Sequence, residues 1–203
     1  MVLGQVIVST LAQSQETTVT HQVDVTAAYQ ELMRDPLSAK ELADRILADL
    51  PTDPSSDQHL IATAIQAQAL VKLGLSSQAF ANIRAALTRA EQHQNTRPDT
   101  LAELYHALGA AQEAQGELAD AFMSYQLSYD TWSEIGKVDK KNAMAISMGG
   151  LYIKSGDTDR AISFLDALVP SVLSSQDPVN KVRVLNNLAY AYVQNQTPEP
   201  AVR

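Results

Sequence analysis

Small residues recur along this chain at a spacing of about forty, and that periodicity limits the fold more than any other feature. Leu108-Gly109 is followed by Gly116 and Ala121, then Gly149 by Gly156 and Ala161, then Leu188-Ala189 by Gln196 and Ala201. Counting back from Gly109 gives Ala67, Gly74 and Ala79, and one period earlier Ala27, Arg34 and Ala39. A unit of this length is one supersecondary element that buries its apolar face only against its neighbours.

Each unit reads as two helices. Leu101, Leu104, Tyr105, Leu108 and Gln112 fall at three- and four-residue steps, the spacing that lines one helical face. Gly116 ends that helix, because glycine accepts the left-handed conformation that a helix C-terminus commonly adopts. Leu118, Ala121, Phe122, Tyr125 and Tyr129 form the stripe of the return helix. Asp35-Pro36, Pro51 to Pro54, Arg97-Pro98 and Asp177-Pro178 punctuate the linkers. Hairpin turns are predicted near Asp35-Pro36, Gly74, Gly116 and Gly156. The pairs Gly109/Ala121 and Gly149/Ala161 are expected to let helices approach closely, with Tyr125, Tyr152 and Leu165 filling the space between units. Strand-like alternation occurs only at Val2 to Val8.

Composition narrows the chemistry. The net charge of −8 argues against a nucleic-acid footprint, which needs clustered Lys and Arg to neutralise phosphates. Lys137, Lys140 and Lys141, with Asp139 among them, read as a solvated inter-helix loop. Without cysteine there is no disulfide, thiolate metal site or cysteine nucleophile. His21, His59, His93 and His106 show no metal-ligand spacing, and no nucleophile-elbow, Walker or dinucleotide motif occurs. Neither a metal, a cofactor nor an enzyme activity is indicated. Trp132 and Tyr129 read as packing residues, Gly149-Gly150 as a close helix contact, and Glu113, Glu117 and Asp120 as solvated charges beside a turn. No apolar run reaches the ~20 residues of a membrane span. Residues Met1–Ser14 are apolar and uncharged, with Ala12 and Ser14 spaced like a cleavage site, but the first basic residue is Arg34. They are either a signal-peptide remnant, implying a periplasmic protein, or a weakly structured tail on a cytoplasmic one.

The runs Leu108-Gly109, Gly116, Ala121, Tyr125 and Gly149, Tyr152, Gly156, Ala161, Leu165 resemble the tetratricopeptide motif, and Leu188-Ala189-Tyr190-Ala191-Tyr192 resembles its first helix. The resemblance covers about residues 22–203. It departs where Tyr105 becomes Ala145 in the next unit, and in a period nearer 40 than 34. The longer period is similar to that of repeats in bacterial signalling proteins. It implies an all-α, right-handed α-solenoid of stacked helix-turn-helix repeats, with residues 1–21 as a tail. The units fall at about 22–55, 56–97, 98–138, 139–176 and 177–203, the last incomplete.

The resemblance also implies a function in binding. First helices line the concave face of such arrays, and register then selects Gln68 and Lys72, His106 and Glu113, Ser147 and Lys154, and Arg183, Asn186, Asn187 and Tyr190. Lys154, Arg183, Asn187 and Tyr190 are expected to converge across two adjacent units. Two cations, an amide and a ring suit an extended carboxylate-bearing peptide. Two readings of function stay open: a protein- or peptide-binding scaffold, or the sensory input region of a longer bacterial signalling protein such as a diguanylate cyclase or sensor kinase. The reading frame downstream of Arg203 separates them. Because the last unit lacks a return helix, Leu185, Leu188 and Tyr192 are expected to want cover, which opens a route to self-association.

Overall fold

A computed structural model describes residues 25–50, 53–93 and 95–196. The expectations about Met1–Ser14, Val2 to Val8 and Ala201 lie outside the described residues. Among those described the chain is helical, with no strand: α1 (25–31), α2 (Pro36–Asp49), α3 (Asp57–Lys72), α4 (Ser76–Gln92), α5 (Pro98–Gln115), α6 (Leu118–Glu134), α7 (Val138–Lys154), α8 (Thr158–Ser174) and α9 (Pro178–Gln196). The architecture is an all-α solenoid of stacked helical hairpins, and none of its described helices is long and apolar enough to cross a membrane. Two compact units divide between Thr96 and Arg97.

Local chemistry explains the element ends. Pro36, Pro98 and Pro178 each open a helix, where the missing N–H breaks no hydrogen bond. The Asp35 carboxylate accepts from the N–H groups of Leu37 and Ser38 at 3.0 and 3.3 Å, and Asp177 accepts from Val179 and Asn180 at 2.8 and 3.2 Å. At Gly116 the backbone is left-handed (φ 82°), and Glu117 N–H donates to Gln112 while Gly116 N–H donates to Glu113, at 2.9 and 3.1 Å. This paired closure caps the carbonyls of α5. Gly74 and Gly156 end α3 and α7 in the same way, as expected, and so does Gly136 after α6, which the repeat pattern did not single out.

In the N-terminal unit α2 packs on α3 and α3 on α4. Its core gathers Ala28, Ala39, Ala43 and Ile46 with Ile65 and Ala69. Ala67 and Ala79 are fully buried. In the first register the buried small residue is Ala28, one position after the expected Ala27.

The C-terminal unit holds the hairpins α5–α6 and α7–α8, with α6 against α7 and α9 against both α7 and α8. A Cβ added at Gly109 would lie 2.6 Å from the Tyr125 ring, and one at Gly149 would overlap Leu165. Tyr125 and Leu165 therefore fill the close contact inside their own hairpins, not the space between units. Tyr152 does bridge units: its ring lies 5.4 Å from that of Phe122 on α6 and 5.6 Å from that of Phe164 on α8. The face predicted for α5 is only part of the truth. Leu101, Tyr105 and Leu108 are half-buried, whereas Thr100, Ala102, Leu104, Ala107 and Ala111 are fully buried. A first helix is covered from more than one side, so a single stripe understates it.

Two further expectations are corrected. Lys140, Lys141 and Asp139 sit in the first turns of α7, not in a loop. Leu188 is buried in the core formed with Ile146, Ile153, Leu165 and Val184, so it does not lack cover. Leu185 and Tyr192 are half-exposed and Ala189 is exposed.

Candidate binding cleft

Within the C-terminal unit, α7 and α9 pack side by side and leave a cleft of about 380 Å³ between them. Ile146, Ser147, Gly150, Ile153 and Lys154 recur at helical spacing on α7 and form one wall. Arg183, Asn187 and Tyr190 come from α9 one turn apart, and Glu113 reaches in from α5. The four residues that register selected, Lys154, Arg183, Asn187 and Tyr190, thus line one concavity, together with Glu113 and Ser147.

The cleft's polar groups differ in how fully they are engaged. Lys154 Nζ lies 2.5 Å from Glu113 Oε1, and the Tyr125 hydroxyl donates to Glu113 Oε2 at 2.7 Å. Glu113 is therefore a shared acceptor and not a solvated charge. Burial, reinforced by the Glu113 charge and hydrogen bond, holds the Tyr125 phenol well above its usual range, so it stays a neutral donor. Lys154 is neutralised and does not act as a second open cation.

Arg183 is in a different position. Its guanidinium donates to Ser147 Oγ at 3.1 Å, and among the described residues it forms no ion pair. Burial draws it below the usual guanidinium range, an effect opposed by the more distant Tyr125, Glu113 and Asp177. A half-buried cation with one neutral hydrogen-bond partner is electrostatically under-satisfied. Asn187 Nδ2 donates to the carbonyl of Ile146 at 3.3 Å, tying α9 to α7. The amide expected to be free for a peptide thus commits one of its two N–H donors inside the fold, while Oδ1 accepts no hydrogen bond from the described residues. Tyr190 is exposed, and its hydroxyl accepts from Gln194 at 2.7 Å. A Cβ at Gly150 would meet only Asn187 Nδ2, at 3.6 Å, so this glycine opens the cleft floor. Gly149 alone makes the close helix contact that had been assigned to both.

The other selected residues lie elsewhere. Gln68 is half-buried and Lys72 exposed, both on α3 of the N-terminal unit. Asn186 is exposed on α9 and does not line the cleft. His106 packs on the Tyr125 ring at 6.1 Å and places Nδ1 3.7 Å from Glu103 Oε2.

Glu103 escaped the sequence reading altogether. It is buried on α5, and Lys140 Nζ on α7 lies 2.7 Å from its Oε1. Burial alone would raise its pKa, but His106 and the Lys140 charge outweigh that and bring it to about 2. Lys140 also stands over the Trp132 ring, 5.6 Å from its centre. The one signal in the sequence was a carboxylate at an otherwise apolar helical position.

No family model matches the chain, and no curated protein matches its sequence. Solved structures do match its fold. A putative kinesin light chain of Podosopora anserina with nearly identical TPR-like repeats aligns at TM-score 0.61 and 17% identity, over 86% of each chain. BtubC (BKLC) from P. vanneervenii aligns at 0.58 and 20% identity, over 86% of this chain and 66% of that one. A Rap protein complexed with Competence and Sporulation Factor aligns at 0.67 and 15% identity, over 87% of this chain and 52% of that one. At these identities the likeness concerns the fold, which is that of a tetratricopeptide-like helical repeat protein.

Proposed function

We propose that the chain is a scaffold that binds a protein or peptide partner in the α7–α9 cleft, with one carboxylate of the partner seated on Arg183. The observation that carries this reading is the half-buried guanidinium whose one hydrogen-bond partner among the described residues is the Ser147 hydroxyl. Arginine's planar fork suits a bidentate carboxylate. Asn187 Oδ1, one turn along α9, then accepts a backbone N–H, and the exposed Tyr190 ring supplies apolar contact. Because Glu113 already neutralises Lys154, the site favours a single carboxylate over a run of acidic residues. The Rap neighbour, solved with a factor bound, is a precedent for ligand binding by this fold. The chain's net charge of −8 opposes such a partner at long range, so binding should be modest.

The test is an array of short peptides, each with a free and an amidated C-terminus and with or without one acidic side chain, titrated against the chain and its Arg183→Met variant. At least a tenfold loss of affinity in the variant is expected for carboxylate-bearing peptides. Equal affinity of both proteins for the same peptides would remove Arg183 from the site.

A further inference from the structure

The groove that runs over α7 between α6 and α8 is filled at one end and hollow in its middle. Lys141, Ala145, Met148 and Tyr152 follow one another at three- and four-residue steps, so they lie along one side of α7. At the C-terminal end the Tyr152 ring occupies the groove, 5.4 Å from the ring of Phe122 on α6 and 5.6 Å from that of Phe164 on α8. Two turns earlier a hollow of about 380 Å³ opens. Ala145 and Met148 form its floor, Gln126 and Tyr129 of α6 one wall, and Phe164 and Leu168 of α8 the other. Phe164 is common to the filled stretch and the hollow. The repeat explains the difference: forty residues either way, the register of Ala145 holds Tyr105 on α5 and Leu185 on α9, so α7 is short of a large side chain at this step.

The hollow's lining suits a flat ring. Aromatic groups pair favourably with the Tyr129 and Phe164 rings, as Tyr152 already does with Phe164, and the Met148 thioether adds a sulfur–ring contact. Charge is supplied at the other end. Lys141, one turn before Ala145, holds its ammonium 5.8 Å from the centre of the Tyr129 ring and forms no ion pair among the described residues. Asp130, beside this wall on α6, is engaged by the Gln126 amide, which donates to it at 2.8 Å. Lys141 and Tyr152 bound a stretch of about 16 Å along α7, enough for one ring and a short acid chain but not for an extended peptide. A concavity of this size, mostly apolar with one polar anchor, is at the lower end for small-molecule sites. We infer that the hollow binds a small aromatic carboxylate, its ring over Ala145 and Met148 beside Phe164 and its carboxylate on Lys141. None of these residues lines the α7–α9 cleft.

The test follows the Met148 methyl group by NMR in the full chain with isotopically labelled methionine, the resonance being identified by its loss in Met148→Leu. Hydrocinnamate should shift it saturably, with a dissociation constant below about 1 mM. The amide of hydrocinnamate lacks the charge and butyrate lacks the ring, and each should bind at least fivefold more weakly. Ala145→Tyr restores the ring that this register carries on α5, and should abolish the shift while circular dichroism stays unchanged. Lys141→Gln should bring the acid down to the affinity of its amide. Arg183→Met should change nothing here, which separates this site from carboxylate binding in the cleft. No saturable shift up to about 10 mM overturns the inference. So does binding that survives Ala145→Tyr in a folded protein, or equal affinity for acid and amide. A shift produced by a phenylalanine-containing peptide but not by hydrocinnamate overturns it in favour of a partner's side chain. If Ala145→Tyr fails to fold, Lys141→Gln decides alone.

Discussion

The two sides of the C-terminal unit are built from the same helices but held together differently. On the cleft side, α5, α7 and α9 are joined by polar links: Lys140 to Glu103, Lys154 to Glu113, Arg183 to Ser147, and Asn187 to the Ile146 carbonyl. On the other, α6 and α8 meet over α7 through the rings of Phe122, Tyr152 and Phe164 and around an apolar hollow lined by Tyr129, Met148, Phe164 and Leu168. Apolar contacts are non-directional and fix distance; hydrogen bonds and ion pairs fix which atoms face which. The apolar side therefore sets stability, and the polar side sets the geometry a peptide would meet.

The largest effect expected from this contrast is on the apolar side. Leu165 is fully buried, packs on Gly149 and belongs to the core shared by α7, α8 and α9. Leu165→Ala should cost about 2–5 kcal/mol in urea unfolding, because it removes transfer energy and leaves a cavity that a helical backbone closes poorly. A loss below that of any cleft substitution would reverse the assignment of roles.

Next comes the ion pair of the buried Glu103 carboxylate with the half-exposed Lys140. Lys140→Met leaves the Glu103 carboxylate without its ammonium and should cost about 1–3 kcal/mol at neutral pH. The pH dependence has a definite sign. Glu103 falls from an ordinary 4.5 to about 2 in the folded chain, so its contribution is complete above about pH 4.5 and disappears as pH falls towards 2. That contribution is on the order of 3 kcal/mol. Stability of Lys140→Met should decline less than that of the parent between pH 5 and pH 2. Parallel declines would mean that Lys140 does not set the Glu103 pKa.

A smaller effect separates two adjacent glycines. Gly149→Ala drives a methyl into Leu165 and should destabilise by about 1–2 kcal/mol even after its gain in helix propensity. Gly150→Ala meets open space beside Asn187 and should stabilise by up to about 1 kcal/mol. It should also narrow the cleft floor and weaken peptide capture. Thermal melts of the two variants moving in the same direction would contradict the close packing assigned to Gly149 alone.

How much the sequence disclosed depends on the range of the forces involved. Turns at Gly74, Gly116 and Gly156 depend on backbone conformation within a few residues, and they were legible. So was the convergence of Lys154, Arg183, Asn187 and Tyr190, because a fixed repeat carries register from one helix to the next. The ion pairs were not. Glu113 and Lys154 are 41 residues apart and Glu103 and Lys140 are 37 apart, and a charged residue on a helix gives no local sign of whether it meets water or a partner. The stripe drawn for α5 was too narrow for a related reason: Ala102, Ala107 and Ala111 are small enough to be buried on several sides, and alanine carries little amphipathic signal.

The smallest effect on stability tests the cleft most sharply. Asn187 holds one hydrogen bond, to the Ile146 carbonyl at 3.3 Å, so Asn187→Ala should cost only about 0.5–1.5 kcal/mol. It also deletes the Oδ1 acceptor proposed to hold a ligand N–H, and should weaken peptide binding several-fold. Asn187→Asp does something else with nearly the same shape. It places a carboxylate one helical turn from Arg183, in the i, i+4 relation that lets the two side chains meet, and so supplies in the chain itself the anion that Arg183 is proposed to take from a partner. Its loss of affinity for carboxylate-bearing peptides should exceed that of Asn187→Ala, while its folding free energy stays within about 1 kcal/mol of the alanine variant. Calorimetric titration and a denaturant melt on both variants separate the two readouts. If Asn187→Asp binds such peptides as tightly as the parent chain does, Arg183 is not the anchor, whatever else the cleft holds.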